Sequence, residues 1–110
     1  MQVLFPDSRI QSLFNSSKEL SRAFGSENAC LIRRRLDDLR AALHFGDAWA
    51  LPGRLEELKG KRKGQFSMRL RGGDRLIIKP GNPLPLKPDG SIDQAKVRVV
   101  TIVSVENYHD

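Results

Sequence analysis

The spacing of hydrophobic and polar positions changes from a helical period to a strand period near the middle of the chain. From residue 26 to about Phe45, apolar side chains recur every three or four positions, which predicts one long helix with a single buried stripe. Two shorter helices are expected before it, one with an N-cap at Asp7 or Ser8 and one over residues 18–24 that Gly25 ends. Residues 2–5 predict a short opening strand, stopped by Pro6.

After Gly46 the apolar positions alternate with polar ones. Residues 65–71 and 75–79 each predict a half-buried antiparallel strand, and a shorter strand is expected before Gly60. A three-residue loop would pair Arg71 with Arg75 and Leu70 with Leu76. This register separates an apolar face (Phe66, Met68, Leu70, Leu76 and Ile78) from a basic face (Arg69, Arg71, Arg75 and Lys79).

The remaining segments complete an α+β fold. Residues 80–96 hold four of the six prolines and predict an irregular surface loop. Residues 97–105 are the clearest strand and are apolar on both faces in the middle, as expected for an interior strand. The order of elements predicts an N-terminal strand and helices packed on one face of a small, mainly antiparallel sheet. A length of 110 residues is typical of a single domain, here residues 1–110.

The net charge of +6 is concentrated in one part of the chain. Residues 51–80 carry nine basic and three acidic side chains, whereas the segments on either side are close to neutral. Such a concentration favours nucleic acid or another polyanion as a partner, although a solvated surface would give the same count.

Several protein classes are excluded by composition. No apolar run approaches the roughly 20 residues that span a bilayer, and the N-terminus does not have the pattern of a signal peptide. Cys30 is the single cysteine, and no Cys/His cluster has zinc spacing. We therefore expect a cytoplasmic protein without a disulfide, a metal, another cofactor or a membrane partner.

The candidate chemistry combines arginines with a histidine near the end of the last strand. A planar guanidinium suits phosphate, whereas one tyrosine and one tryptophan are few for base stacking. Tyr108 and His109 follow the strand directly, and a histidine can move a proton while cations stabilise phosphate charge. This is the minimum for metal-independent RNA cleavage, in which a 2′-OH attacks its own 3′-phosphate. A histidine at such a position is also common as a plain exposed residue.

Three ordered blocks, residues 51–69, 75–78 and 105–109, resemble the HigB branch of the RelE/ParE toxin superfamily. The resemblance rests on a Leu-Lys-Gly element followed by a second glycine and an aromatic-Ser pair, an Arg-hydrophobic strand, and the Tyr-His ending. It implies a RelE-like fold and the toxin of a type II toxin–antitoxin pair. Such a toxin binds the ribosomal A site and cleaves mRNA there. A HigA-like helix-turn-helix antitoxin neutralises it, and operator DNA is contacted only through that antitoxin.

The resemblance also implies an active site. Lys59, Arg75, Tyr108 and His109 match its positions, and Arg69 is added from its predicted face. Glu56 stands where the family often has histidine, and Asn107 stands where it usually has aspartate; Glu56 is kept as a candidate base. Lys59, Arg69 and Arg75 would hold the scissile phosphate, His109 would act as general acid or base, and Tyr108 would orient the substrate. Further RNA contacts are expected from basic side chains nearby (Lys61, Arg62, Lys63, Arg71 and Lys79).

Three other functions remain open at this point. A ParE-like inhibitor of DNA gyrase would share the fold, but such toxins generally do not have the basic residues and histidine of the cleavage site. A degenerate relative that only binds its antitoxin and regulates its operon is favoured by Glu56 and Asn107. A plain RNA-binding accessory protein is the third. The length of the loop at residues 80–96 exceeds the usual link between the last strands and is expected to be a surface feature.

Overall fold

The computed structural model describes residues 1–81 and 83–107. Tyr108, His109 and Asp110 lie outside the described residues, as does Asn82. The elements follow the order β1 (Gln2–Leu4), α1 (Ser8–Phe14), α2 (Ser17–Phe24), α3 (Ser26–Ala41), β2 (Glu56–Glu57), β3 (Phe66–Arg69), β4 (Asp74–Pro80) and β5 (Val99–Asn107). Short 3-10 segments occur at Phe45–Ala50, Gly60–Arg62 and Gln94–Lys96.

The helices begin where the sequence supplies caps. Asp7 accepts a hydrogen bond from the Ile10 amide at 2.9 Å, so Asp7 rather than Ser8 caps α1. Ser16 caps α2 in the same way, and Gly25 ends it with a positive φ of 86°. The long helix α3 ends at Ala41, four residues before the predicted end, because the backbone of Ala42 is extended. Leu43, expected on the buried stripe, is therefore 76% exposed.

The five strands form one sheet in the order β1-β5-β4-β3-β2. β1 pairs with β5 in parallel, and the other three pairings are antiparallel. The last strand thus has neighbours on both sides, which matches its apolar composition on both faces. Within the described residues, no helix has both the length and the apolar character that crossing a membrane requires.

The observed register of the β3–β4 hairpin corrects the predicted one. Arg69 pairs with Arg75 and Met68 with Leu76, so the predicted pairs of Arg71 with Arg75 and Leu70 with Leu76 are wrong. The shift is two residues, which keeps every side chain of the two strands on its predicted face. The turn is longer than expected: the Leu70 amide donates to the Asp74 carbonyl, and the Asp74 amide donates to the Arg71 carbonyl.

One apolar core lies between α3 and the sheet. Ile32, Leu36 and Leu39 of α3 pack with sheet residues that are 0% exposed, namely Phe66, Met68, Leu76, Ile78, Val100 and Ile102. Phe45 and Trp49 of the first 3-10 segment contact the Phe66 ring edge-on, with ring centroids 4.8 and 6.0 Å away. We call this the helix face of the sheet; the opposite side is the outer face.

Candidate functional site

The outer face carries charged side chains in rows that cross neighbouring strands. Arg69 of β3, Arg75 of β4 and Glu106 of β5 are direct Cα partners and form one row. Directly paired residues share a face, so the two predicted phosphate-binding arginines lie side by side. A second row contains Glu56, Ser67, Ile77 and Ser104. The structure therefore brings Glu56, Arg69 and Arg75 onto one surface.

An ion pair crosses this surface from the β2–β3 connection to β5. The Arg62 guanidinium contacts the Glu106 carboxylate, which also accepts a hydrogen bond from the Ser104 hydroxyl. Since β3 and β4 lie between these partners, the connection passes over the outer face. Ser67 and Ile77, on the strands beneath, are 1% and 0% exposed. Arg62, predicted as a contact to RNA, has a partner within the protein.

This arrangement stabilises the charged form of Glu106. The hydrogen bond from Ser104 is the largest cause that lowers the pKa of the Glu106 carboxyl, and the hydrogen bond and charge of Arg62 lower it further. Partial burial opposes them, but the net shift is downward. Glu106 is therefore an anion at neutral pH and offsets one cation of the outer face.

The connection that carries Arg62 depends on two glycines. Gly60 and Gly64 have φ values of 65° and 90°, a region of backbone conformation that residues other than glycine rarely adopt. They flank a tight segment in which the Lys63 amide donates to the Gly60 carbonyl at 3.1 Å. The Leu-Lys-Gly element with its second glycine thus has a structural reason. It presents three exposed lysines, Lys59, Lys61 and Lys63.

Lys79 lies further along the outer face, beside an open cavity. The cavity has a volume of about 530 Å³, within the range of small-molecule sites. Lys63 and Lys79 supply its charge, and Thr101 and Leu84 form part of its wall. The loop at residues 81–98 contributes Leu84, which is 36% exposed. This loop is anchored where the Trp49 indole donates to the Gln94 side chain at 2.6 Å.

Arg71 does not share the outer face, contrary to the prediction. It lies in the β3–β4 turn, where its guanidinium pairs with Glu27 of α3 at 3.5 Å. Its amide donates to the Asn28 side-chain oxygen at 2.7 Å. The turn is thus drawn toward α3, so the Arg71 side chain belongs to the helix side of the molecule.

Sequence reasoning missed a buried cation that supports the end of β3. In the observed register, the Leu70–Asp74 pair is hydrogen-bonded, so the backbone of Arg69 points away from β4. Its amide donates to the Gly53 carbonyl at 2.6 Å, and its carbonyl accepts from Arg35 Nη2 at 3.2 Å. Arg35 is 8% exposed, and burial lowers the pKa of its guanidinium.

A signal for this residue exists in the sequence. Asn28, Ile32, Arg35 and Leu39 follow the same three- and four-residue spacing as the apolar stripe, which places two polar side chains on the buried side of α3. Both prove to be buried and hydrogen-bonded. A polar residue among the apolar positions of a buried helix stripe therefore predicts a buried hydrogen bond, because burial of a polar group without a partner is unfavourable.

Other predictions lie beyond what these contacts describe. Tyr108 and His109 follow the last described residue of β5, so their proposed roles stay predictions. Among residues 1–81 and 83–107, no group of three or more His, Cys, Asp and Glu side chains is arranged to hold a metal ion.

Solved structures of toxins share this fold. The chain superposes on the YoeB/ParE toxin from Agrobacterium tumefaciens with a TM-score of 0.61 at 14% sequence identity, covering 99% of this chain and 100% of that one. It superposes on a chain of the YoeB–YefM complex from Staphylococcus aureus with a TM-score of 0.56 at 15% identity, covering 100% and 98%. No family model and no curated protein sequence matches the chain. The predicted α+β, RelE-like toxin fold is confirmed.

Proposed function

We propose that this chain is the toxin of a type II toxin–antitoxin pair and that it acts in the cytoplasm as a HigB-like, ribosome-dependent mRNA endonuclease. The observation that carries the proposal is the row of Arg69 and Arg75 on the outer face. Arg75 lies beside the end of β5, the strand that leads directly into Tyr108 and His109. Two cations on the sheet, together with a histidine that follows Asn107 by two positions in the sequence, match the needs of phosphodiester cleavage.

The reaction class follows from these side chains. The 2′-OH of one nucleotide attacks its own 3′-phosphate, and the 5′-oxygen of the next nucleotide leaves. Arg69, Arg75 and Lys59 stabilise the charge that develops on the phosphorane. His109 transfers a proton as general acid or base, and Tyr108 orients the substrate. Glu56, on the same face of the sheet, is the second proton-transfer group in this proposal, a carboxylate base.

The exposed lysines support a separate role in binding. Lys59, Lys61 and Lys63 project from the β2–β3 connection, and Lys79 extends the basic surface toward the cavity. Contacts of this kind position a protein on RNA without reading sequence, and they weaken as salt concentration rises. We propose that they bind ribosomal RNA, with mRNA entering along the outer face.

The proposed partner of the free toxin is a HigA-like helix-turn-helix antitoxin, through which operator DNA would be contacted. Support comes from the solved YoeB–YefM complex that contains the same fold. A gene for a small helix-turn-helix protein next to the gene for this chain is the expected arrangement.

Inducible expression with mapping of transcript 5′ ends tests this function. We expect growth arrest together with new 5′ ends in phase with codons, both abolished by His109→Ala. Arg9→Ala, an exposed arginine on α1, serves as the matched surface control and should remain toxic. Growth arrest without new 5′ ends would contradict the nuclease and favour gyrase inhibition. If expression causes neither growth arrest nor new 5′ ends while antitoxin binding is intact, the result would favour a protein that only regulates its operon.

A further inference from the structure

The end of β5 is tied to α3 and to the β3–β4 turn by three polar side chains. One oxygen of the Asp74 carboxylate accepts a hydrogen bond from the Asn28 amide at 2.9 Å, and the other accepts from the Asn107 amide at 2.9 Å. Asn28 also donates to the Arg71 carbonyl at 3.2 Å and accepts from the Arg71 backbone amide. The cluster therefore connects a helix, a turn and the last described residue of the final strand.

The neighbours of position 107 are hydrogen-bond acceptors, so this position requires a side chain that donates hydrogen bonds. The Asn107 amide nitrogen donates to the Asp74 carboxylate and also to the Gly72 carbonyl, both at 2.9 Å. A neutral amide has two N–H groups on that nitrogen, and both are used. A carboxylate at position 107 would place an oxygen against two acceptors, one of them charged. The presence of asparagine here, rather than aspartate, is thus explained by its neighbour Asp74.

We propose that Asn28, Asp74 and Asn107 form a positioning network for the residues that follow β5, Tyr108 and His109. Asp74 precedes Arg75 directly in β4, and Asn107 is the Cα partner of Asp74. The network therefore fixes Asn107, the last described residue of β5, relative to Arg75. Its catalytic consequence rests on the proposed function. Asn107 acts through the residues after it and is a positioning residue, not a catalytic base.

Asn107→Asp tests the network most sharply. We expect single-turnover cleavage of ribosome-bound mRNA to slow by about ten- to a hundredfold, the size of effect that a small misplacement of reacting groups produces. Asn107 is exposed at the end of the strand, so the fold should persist, and thermal unfolding checks this. Asn107→Ala removes the donor without adding charge, and we expect its cleavage rate to fall by about threefold to tenfold.

Exchanging the residues at positions 74 and 107 distinguishes an effect of the hydrogen bond between them from an effect of losing the Asn107 side chain. Asp74→Asn combined with Asn107→Asp restores one amide and one carboxylate to the pair. We expect it to cleave faster than Asn107→Asp alone, but more slowly than wild type, because the oxygen introduced at position 107 still faces the Gly72 carbonyl. Asn15→Asp makes the same chemical change at the end of α1 and should leave the rate unchanged.

Two results would overturn the network: a cleavage rate for Asn107→Asp within twofold of wild type, or a double variant no faster than that single variant. If wild-type protein does not cleave at all, the proposed function fails and a second readout tests the network. The steady-state ¹H–¹⁵N NOE of the His109 amide should decrease in Asn107→Asp and recover in the double variant. An unchanged NOE would contradict the proposal independently of activity.

Discussion

The two faces of the sheet are formed by the same strands but are covered by different parts of the chain. On the helix face, α3 covers fully buried apolar side chains such as Phe66 and Leu76. On the outer face, the β2–β3 connection crosses the strands and is held by the Arg62–Glu106 ion pair. Burial of one large apolar side chain contributes about 1.5–3 kcal/mol, whereas an exposed ion pair contributes at most about 1 kcal/mol. Most of the stability is therefore expected from the helix face, and the outer face can carry charged side chains.

Truncation of the helix face should produce the largest loss of stability. Phe66→Ala removes a ring that is 0% exposed and contacts Phe45 and Trp49, so we expect the free energy of unfolding to fall by about 4 kcal/mol. Chemical denaturation measures this directly. Leu43→Ala truncates an apolar side chain that is 76% exposed, so it is the control and should change stability by less than about 0.5 kcal/mol. Equal losses in the two variants would contradict the division between core and surface.

Removal of the buried cation should have an intermediate effect. Arg35→Met keeps much of the side-chain volume but leaves the Arg69 carbonyl without the guanidinium, and we expect a loss of about 2 kcal/mol. Hydrogen exchange of the amides of β3 and its neighbours localises the change to the strand end. Arg34→Met, its exposed neighbour on α3, is the matched control. If both variants unfold at the same denaturant concentration, Arg35 does not support β3.

The smallest stability effect is expected at the ion pair of the outer face, and it should depend on pH. Because the folded state lowers the pKa of Glu106, ionised Glu106 stabilises the fold at pH values above the ordinary pKa of a glutamate. This contribution is lost as pH falls through the lower, folded-state pKa. Glu106→Gln should therefore cost about 0.5–1 kcal/mol at pH 7 and progressively less in acid.

Urea denaturation of wild type and Glu106→Gln at several pH values measures the difference. Glu57→Gln on β2 removes an exposed carboxylate as the matched control and should change the free energy of unfolding by less than about 0.5 kcal/mol at pH 7. A difference that grows as pH falls would contradict the assignment of Glu106 as a stabilising anion.

Periodicity predicted the elements and the faces of the strands but not the exact pairing. Two strands that alternate apolar and polar residues can slide by two positions without moving any side chain to the other face. The choice of Arg69 rather than Arg71 as the partner of Arg75 comes from contacts distant in sequence, made by Asn28 with Arg71 and Asp74. Local turn chemistry at Gly72 and Gly73 does not contain that information.

The same limit applies to the candidate site. Charge and resemblance selected Glu56, Arg69 and Arg75 as candidates, and the structure brings these three to one face. They did not identify the partner of Arg62, since Glu106 lies 44 residues away in the chain. They also treated Asn107 as the loss of a carboxylate, whereas its amide is a donor to Asp74.

Purified components test most directly whether the outer face cleaves mRNA on the ribosome, as we propose. Programmed ribosomes with a defined mRNA, incubated with the protein and analysed by primer extension, should show a cut in the A-site codon that requires the ribosome. Arg75→Ala should slow the cut by about a hundredfold or more, and Arg9→Ala should leave it unchanged. A wild-type protein that leaves the mRNA intact, or an Arg75→Ala variant that cuts at the wild-type rate, would contradict the account.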